Sequence, residues 1–148
     1  MPKNRKSMLL ILISLSCSAA LGQQTPTSTP AVALAVAPIF PATAFGLPNG
    51  GDAAVEITIN AEGEVTSATP VQGSVLLYDA SLKAARRWRF QPLDGTHKIL
   101  LTFFFYPLPT NASPEDAATI FIPPYRVEIR ARVPPSTVSP DNNLGNPK

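Results

Sequence analysis

The sequence predicts an α+β fold in which a small antiparallel β-sheet packs against one main amphipathic helix. Residues 77–88 have helical periodicity, residues 55–59 alternate between apolar and polar side chains, and residues 99–106 form an apolar run rich in aromatic residues. Residues 65–71 supply a further strand, and residues 125–133 alternate as strictly as the first strand does. The predicted sheet therefore has three strands and an additional C-terminal strand.

The helix is the clearest element of the sequence. At about 100° per residue, Leu77, Ala84 and Trp88 fall on one apolar arc, and charged residues fill the opposite surface. Pro92 disfavours helical geometry in the residue before it, so we expect the helix to end near Trp88. Ser74 precedes the pattern and is a candidate for capping the helix through its side chain. Because the apolar arc is rich in small residues, the helix can lie close against a flat sheet.

A tight turn joins the first predicted strand to the second. Gly63 is expected to take a positive φ in the turn formed by residues 60–63. Pro70 lacks a backbone N–H, which predicts that the second strand lies at an edge of the sheet or at a bulge. Residues 42–45 leave room for one helical turn at most, because prolines and glycines surround them. The predicted core combines the inward side of the first strand with the apolar arc of the helix and consists of Val55, Ile57, Ile59, Leu77, Ala84, Trp88 and Phe90.

The N-terminus has the layout of a secretory signal peptide over residues 1–22. Three basic residues precede an apolar run, and small residues follow it up to Gly22. Two alternatives stay open. A membrane anchor is one, although the apolar run would span only about 21 Å of a hydrocarbon core of roughly 30 Å. A lipoprotein is the other, although Cys17 stands about one position out of register with the small residues before it. Residues 23–37 are rich in Pro, Thr and Ser and predict a semi-extended linker.

Cleavage of the signal would change the charge of the chain. Three of the 12 Lys and Arg residues lie in residues 1–22, which leaves 9 basic residues against 10 acidic ones. A nucleic-acid-binding domain is expected to have a basic surface, so Arg86 and Arg87 are better explained as the solvated face of the helix. We therefore expect no nucleic-acid partner. Cleavage would also remove Cys17, the only cysteine, and with it any disulfide or cysteine metal site.

The sequence offers no arrangement of catalytic groups. His97 is the only histidine, and we interpret it as a solvated loop side chain. The acidic residues beside Gly63 and at residues 115–116 have no neighbouring base. No catalytic residue, metal site or cofactor is therefore predicted, and we expect a protein without enzymatic activity.

Residues 38–107 resemble the C-terminal domain of TonB-type energy transducers. The matching pieces are the pair Phe40-Pro41, the strand of residues 55–59 with its turn, the helix, and the final aromatic strand. The most specific piece is the W-x-F-x-P exit of the helix, which runs from Trp88 to Pro92. Around this domain the chain divides into a signal peptide (1–22), a linker (23–37), a loop with an additional strand (108–135) and a disordered tail (136–148).

The resemblance implies a periplasmic protein-interaction module that binds a segment of an envelope protein or outer-membrane receptor by strand addition. The alternative is a true energy transducer coupled to a proton-driven inner-membrane complex, although the linker is far shorter than the Pro-rich spacer of that family. A structural subunit of an envelope assembly is a third interpretation. A free edge also admits a homodimer, and the membrane is a partner only if residues 1–22 are retained or Cys17 is lipidated. The implied partner-binding edge is the last strand, namely Leu100, Leu101, Thr102, Phe103, Phe104 and Phe105.

The strand predicted over residues 125–133 has two interpretations. In the first it is an additional strand that covers an edge of the sheet. Its charged outer side and flanking prolines are features that discourage aggregation at an edge. In the second it turns back antiparallel along residues 99–106, so that the protein's own chain occupies the implied binding edge. A partner would then have to displace this strand or use the opposite edge of the sheet.

Overall fold

The structure is a computed structural model that describes residues 29–134. The α+β class is confirmed: within these residues one helix, α1 (Val75–Ala85), accompanies seven strands, and short 3-10 helices cover Ala42–Gly46 and Pro114–Asp116. The predicted signal peptide with Cys17 and the predicted tail of residues 136–148 lie outside the described residues. In chain order the strands are β1 (Val32–Leu34), β2 (Gly51–Ile59), β3 (Val65–Gly73), β4 (Arg89–Phe90), β5 (His97–Leu108), β6 (Ala118–Ile122) and β7 (Arg126–Arg132).

The main sheet has five strands in the order β3-β2-β5-β7-β6. Strand β2 is antiparallel to both β3 and β5, whereas β7 is parallel to β5 and β6 is antiparallel to β7. The expectation that the C-terminal strand would lie antiparallel to the final aromatic strand was wrong. The reason is β6: the chain runs back as β6, reverses after Ile122, and then enters the sheet as β7 in the direction of β5.

Three strands, β1, β4 and β6, lie in segments for which the sequence predicted none. Strand β1 falls within the predicted linker and pairs with β4, where Val32 lies opposite Phe90. Strand β6 falls within the predicted segment of residues 108–135, before the additional strand that was expected there. All three are defined by a partner strand rather than by periodicity of their own, since β1 and β4 have only three and two residues and β6 places its large apolar residues consecutively.

The helix ends earlier than expected. Its last residue is Ala85, and the amides of Arg87 and Trp88 then donate to the carbonyl oxygens three residues before them. These tight bonds close the final turn and direct Trp88 into the core, so that β4 begins at the next residue. Ser74 is the N-cap residue, but its side chain makes no capping hydrogen bond. Its backbone carbonyl accepts from the amide of Leu77 instead.

The turn and the edge of the β2–β3 hairpin are as predicted. Gly63 has a φ of 82°, and a Cβ there would meet the carbonyl oxygen of Phe90 at 2.1 Å. Pro70 lies in β3, an outer strand of the sheet, beside a register shift. The core lies between α1 and one face of the sheet, and the structure buries all seven residues of the predicted core set, with Trp88 fully inaccessible to solvent.

Candidate strand-addition site

The binding edge implied by the resemblance belongs to β5, which is an interior strand of the sheet. On one side it pairs with β2 from His97 to Phe105. On the other side it pairs with β7 from Thr102 to Leu108. The structure therefore places a strand of the same chain along most of this edge, although the direction of that strand is parallel.

The six residues of the implied edge divide between the two faces of the sheet. Leu101, Phe103 and Phe105 point toward α1 and are fully buried. The remaining three, Leu100, Thr102 and Phe104, lie on the outer face, where Leu100 is 49% exposed. The side chains on the inner face thus build the core, whereas those on the outer face lie closer to solvent.

Strand β7 fits this edge through two buried side chains. Val127 lies opposite Phe103 and Ile129 lies opposite Phe105, and both are at most 6% exposed. At one end of the pairing, the amide of Thr102 donates to the carbonyl of Tyr125 at 3.0 Å. The hairpin of β6 and β7 therefore extends the core laterally as well as completing the hydrogen bonds of β5.

The outer face of β7 contains a charged cluster. Arg126 Nη2 lies 2.6 Å from Glu128 Oε1, and Arg130 Nη2 lies 3.6 Å from the other carboxylate oxygen. The guanidinium of Arg126 also stands 4.0 Å from the centre of the Phe104 ring, within the range of a cation–π interaction. Glu128 is almost completely buried between the two arginines. The ion pairs are internal to β7, and among these contacts the one between Arg126 and Phe104 joins β7 to the outer side of β5.

The hairpin is also attached to the N-terminal segment of the domain. The Tyr125 hydroxyl donates a hydrogen bond of 2.8 Å to the carbonyl of Pro30, and burial raises the pKa of this hydroxyl above its ordinary value of 10.0. The ring of Tyr125 stands edge-on to Phe90, and that of Phe121 stands edge-on to Trp88. The start of β7 and the end of β6 are thus both fixed to the region around Trp88 and β1.

Strands β3 and β6 are the outer strands of the sheet in residues 29–134. On β6, Ile120, Phe121 and Ile122 are 36–40% exposed. We predicted no strand here, because residues 108–119 have the composition of a loop and residues 120–122 do not alternate. The sequence signal for this strand was the run of three large apolar residues directly before Pro123, which has the length and composition of a short strand.

Residues 29–134 contain no group of three or more His, Cys, Asp or Glu side chains arranged to hold a metal ion. His97 lies at the start of β5, and its Nε2 is 2.8 Å from the carbonyl oxygen of Asp94. Among the same residues, no helix has both the length and the apolar character needed to cross a membrane.

Comparison with known families identifies the domain. The family model described as the Gram-negative bacterial TonB protein C-terminal matches residues 36–106. This part of the chain belongs to the TonB C-terminal family. The family consists of protein-interaction modules of the Gram-negative envelope. The match ends within β5, so β6 and β7 lie beyond the matched residues of the TonB C-terminal domain.

One solved structure similar to this chain is the solution structure of the TonB C-terminal domain of Pseudomonas aeruginosa. The two sequences are 21% identical, the alignment covers 54% of this chain and 88% of that one, and the TM-score is 0.43. No curated protein matches the chain significantly.

Proposed function

We propose that this chain is a non-enzymatic periplasmic interaction module that binds an extended segment of an envelope protein or outer-membrane receptor by strand addition to β5. The observation that carries the proposal is β7 itself, a seven-residue strand paired along this edge in the same sheet. The β6–β7 hairpin acts as an internal competitor, and a partner segment takes its place. Backbone hydrogen bonds supply most of the affinity in such a mode, and alternate side chains supply selectivity.

The contacts of β7 define what a partner segment must supply. Val127 and Ile129 enter the core, whereas Glu128 between them faces the arginines on the outer side. A partner strand therefore needs two apolar side chains separated by one residue, because a one-residue slip would turn them to the outer face. The middle residue of a partner segment is less restricted, because Arg126 and Arg130, which enclose Glu128 on the outer face, belong to β7 and leave with it.

The hairpin lowers the apparent affinity for any partner, because only the open form can bind. If the edge were open in about 1% of molecules, a partner would bind about 100-fold more weakly than it binds the open form. The contacts of Tyr125 and Phe121 with the N-terminal region contribute to the closed form. Partner binding is thus coupled to the stability of the hairpin.

Complementation in trans tests the proposal. A form of the protein that ends after Pro109 lacks β6 and β7, and it should bind a synthetic peptide of residues 125–133 measurably in a calorimetric titration. The matched control peptide carries Val127→Asn and Ile129→Asn, which keep the backbone donors but cannot enter the core. The full chain, titrated in parallel, should bind the unmodified peptide at least about tenfold more weakly than the truncated form.

Two results would count against strand addition to β5. The first is a folded truncated form that does not bind the unmodified peptide. The second is equal binding of the two peptides, which would show that the apolar alternation does not determine pairing. Near-ultraviolet circular dichroism of the truncated form establishes whether its tertiary packing around Trp88 is intact.

A transducer role is the second candidate, and the match to the TonB C-terminal family favours it. In that role residues 1–22 stay in the membrane and connect the domain to an inner-membrane motor. Cell fractionation with N-terminal sequencing separates the two candidates. A cleaved periplasmic species excludes direct coupling to a motor, whereas a retained membrane segment supports the transducer.

A further inference from the structure

We infer that β6 is the pairing edge for a second copy of this chain, so that two sheets join into one continuous sheet of ten strands. The inference rests on the contrast between the two outer strands of the sheet, β3 and β6, and on the sequence of β6. It concerns a different edge from the proposed partner site on β5.

Strand β3 has the features that keep an edge from pairing. Pro70 cannot donate a backbone hydrogen bond. In the pairing with β2, Ala54 lies opposite Gln72 but Val55 lies opposite Pro70, so Val71 is an extra residue without a partner on β2. Exposed polar side chains such as Thr66 and Thr69 accompany these irregularities. A regular strand cannot be added along the whole of this edge.

Strand β6 has none of these protective features. Residues Ala118–Ile122 include no charged residue and no proline, and the pairing with β7 is regular through all five residues. Ile120 and Ile122 point to the outer face and Phe121 to the inner face, and all three are more than a third exposed. An uncharged apolar edge of this kind is the part of a sheet that is most prone to pair with another strand.

The sequence of β6 is complementary to itself in one register. In an antiparallel pair related by two-fold symmetry and centred on Ile120, this residue lies opposite its own copy. Phe121 then lies opposite the partner's Thr119, and Ile122 lies opposite the partner's Ala118. Each large side chain is thereby matched with a small one, apart from the central isoleucine pair, and cross-strand pairs of this kind stabilise a sheet.

Neighbouring registers are less favourable. A shift of two residues in one direction places Asp116 opposite Ile122, which sets a carboxylate against an apolar side chain. The same shift in the other direction places Pro123 opposite Thr119, where the proline cannot donate a hydrogen bond. A shift of one residue pairs side chains that belong to opposite faces. The register centred on Ile120 alone uses all five residues, which is why we assign the edge to a second copy.

Charge exchange at residue 120 tests this assignment. The protein as isolated from the cell envelope should sediment as a monomer–dimer mixture that depends on its concentration. Ile120→Lys or Ile120→Glu alone should weaken the dimer at least about tenfold, because each places like charges directly opposite one another. An equimolar mixture of the two variants should restore the dimer, since lysine then faces glutamate.

Thr69→Lys is the matched control, because it places the same charge at an exposed position of the other edge strand, β3. It should leave the dimer unchanged. Hydrogen exchange of the unmodified protein supplies a measurement that needs no variant, and the amides of residues 118–122 should become protected as the concentration rises. The inference is wrong if the unmodified protein remains monomeric at several hundred micromolar, if the mixture of charged variants does not recover the dimer, or if the protection falls outside β6.

Discussion

At the scale of single residues, Trp88 connects four parts of the domain. Its ring stands close to Phe90 of β4, Phe103 of β5 and Phe121 of β6. Its indole N–H donates a hydrogen bond of 2.8 Å to the carbonyl of Val36, at the N-terminal end of the domain. The side chain is completely buried. Loss of this residue should therefore affect the whole domain rather than one contact.

Trp88→Ala should lower the free energy of unfolding by about 3–5 kcal/mol, because it removes a large buried aromatic side chain and leaves a cavity. The carbonyl of Val36 also loses its donor, which adds to the loss. Urea denaturation followed by circular dichroism measures the change. Arg87→Ala is the control, since this exposed neighbour should change the free energy by less than about 0.5 kcal/mol. An unchanged denaturation midpoint for Trp88→Ala would contradict the packing described here.

At the scale of elements, the periodicity of apolar residues was sufficient to locate each strand or helix that has a long face against the core. Residues such as Val55 and Ile57 alternate with polar neighbours, and the helix repeats its small residues, so these elements could be located from the sequence. Strands β1, β4 and β6 could not be located, because β1 and β4 are too short to show a period and the large residues of β6 are consecutive. The direction of β7 could not be predicted either, since it depends on β6, which lies between β5 and β7 along the chain and reverses its direction.

The candidate site was likewise only partly predictable from the sequence. The resemblance pointed to the strand that contains Phe103, and the alternation of residues 125–133 suggested that this chain could occupy it. The hydrogen bond from Tyr125 to Pro30 joins residues 95 positions apart in the sequence and has no local signal. Contacts of this kind decide how firmly the hairpin is held, so its stability has to be measured.

Val127→Ala tests how the hairpin controls access to β5. The substitution should cost the closed hairpin about 1.5–3 kcal/mol of buried apolar contact, and this loss should raise the affinity of the full chain for the peptide of residues 125–133 by about 10- to 100-fold. Val55→Ala is the matched control, because Val55 is equally buried but belongs to β2, so its loss should lower the stability of the open and closed forms alike. Equal peptide affinities for the two variants would show that β7 does not compete for the site.

At the scale of the whole molecule, the N-terminal segment and the hairpin are packed on the same side of the domain. Within residues 30–36, the carbonyl of Pro30 accepts from Tyr125, that of Ala31 accepts from the Gln91 amide, and that of Val36 accepts from Trp88. The chain therefore enters the domain beside the edge that the hairpin occupies. Any linker that precedes residue 29 is mechanically connected to this region, so tension on it would act first on these three hydrogen bonds.

Two N-terminal deletions distinguish a structural segment from a simple linker. Deletion of residues 1–28 should leave the melting temperature unchanged, whereas deletion of residues 1–37 should lower it by several degrees. The second deletion removes β1 and leaves the buried Trp88 N–H without an acceptor, which costs about 1–3 kcal/mol. Amide exchange in β7 should also become faster after the second deletion, since Tyr125 loses its bond to Pro30. Equal melting temperatures and equal exchange of Arg126–Arg132 in the two forms would mean that residues 29–37 neither stabilise the domain nor restrain the hairpin.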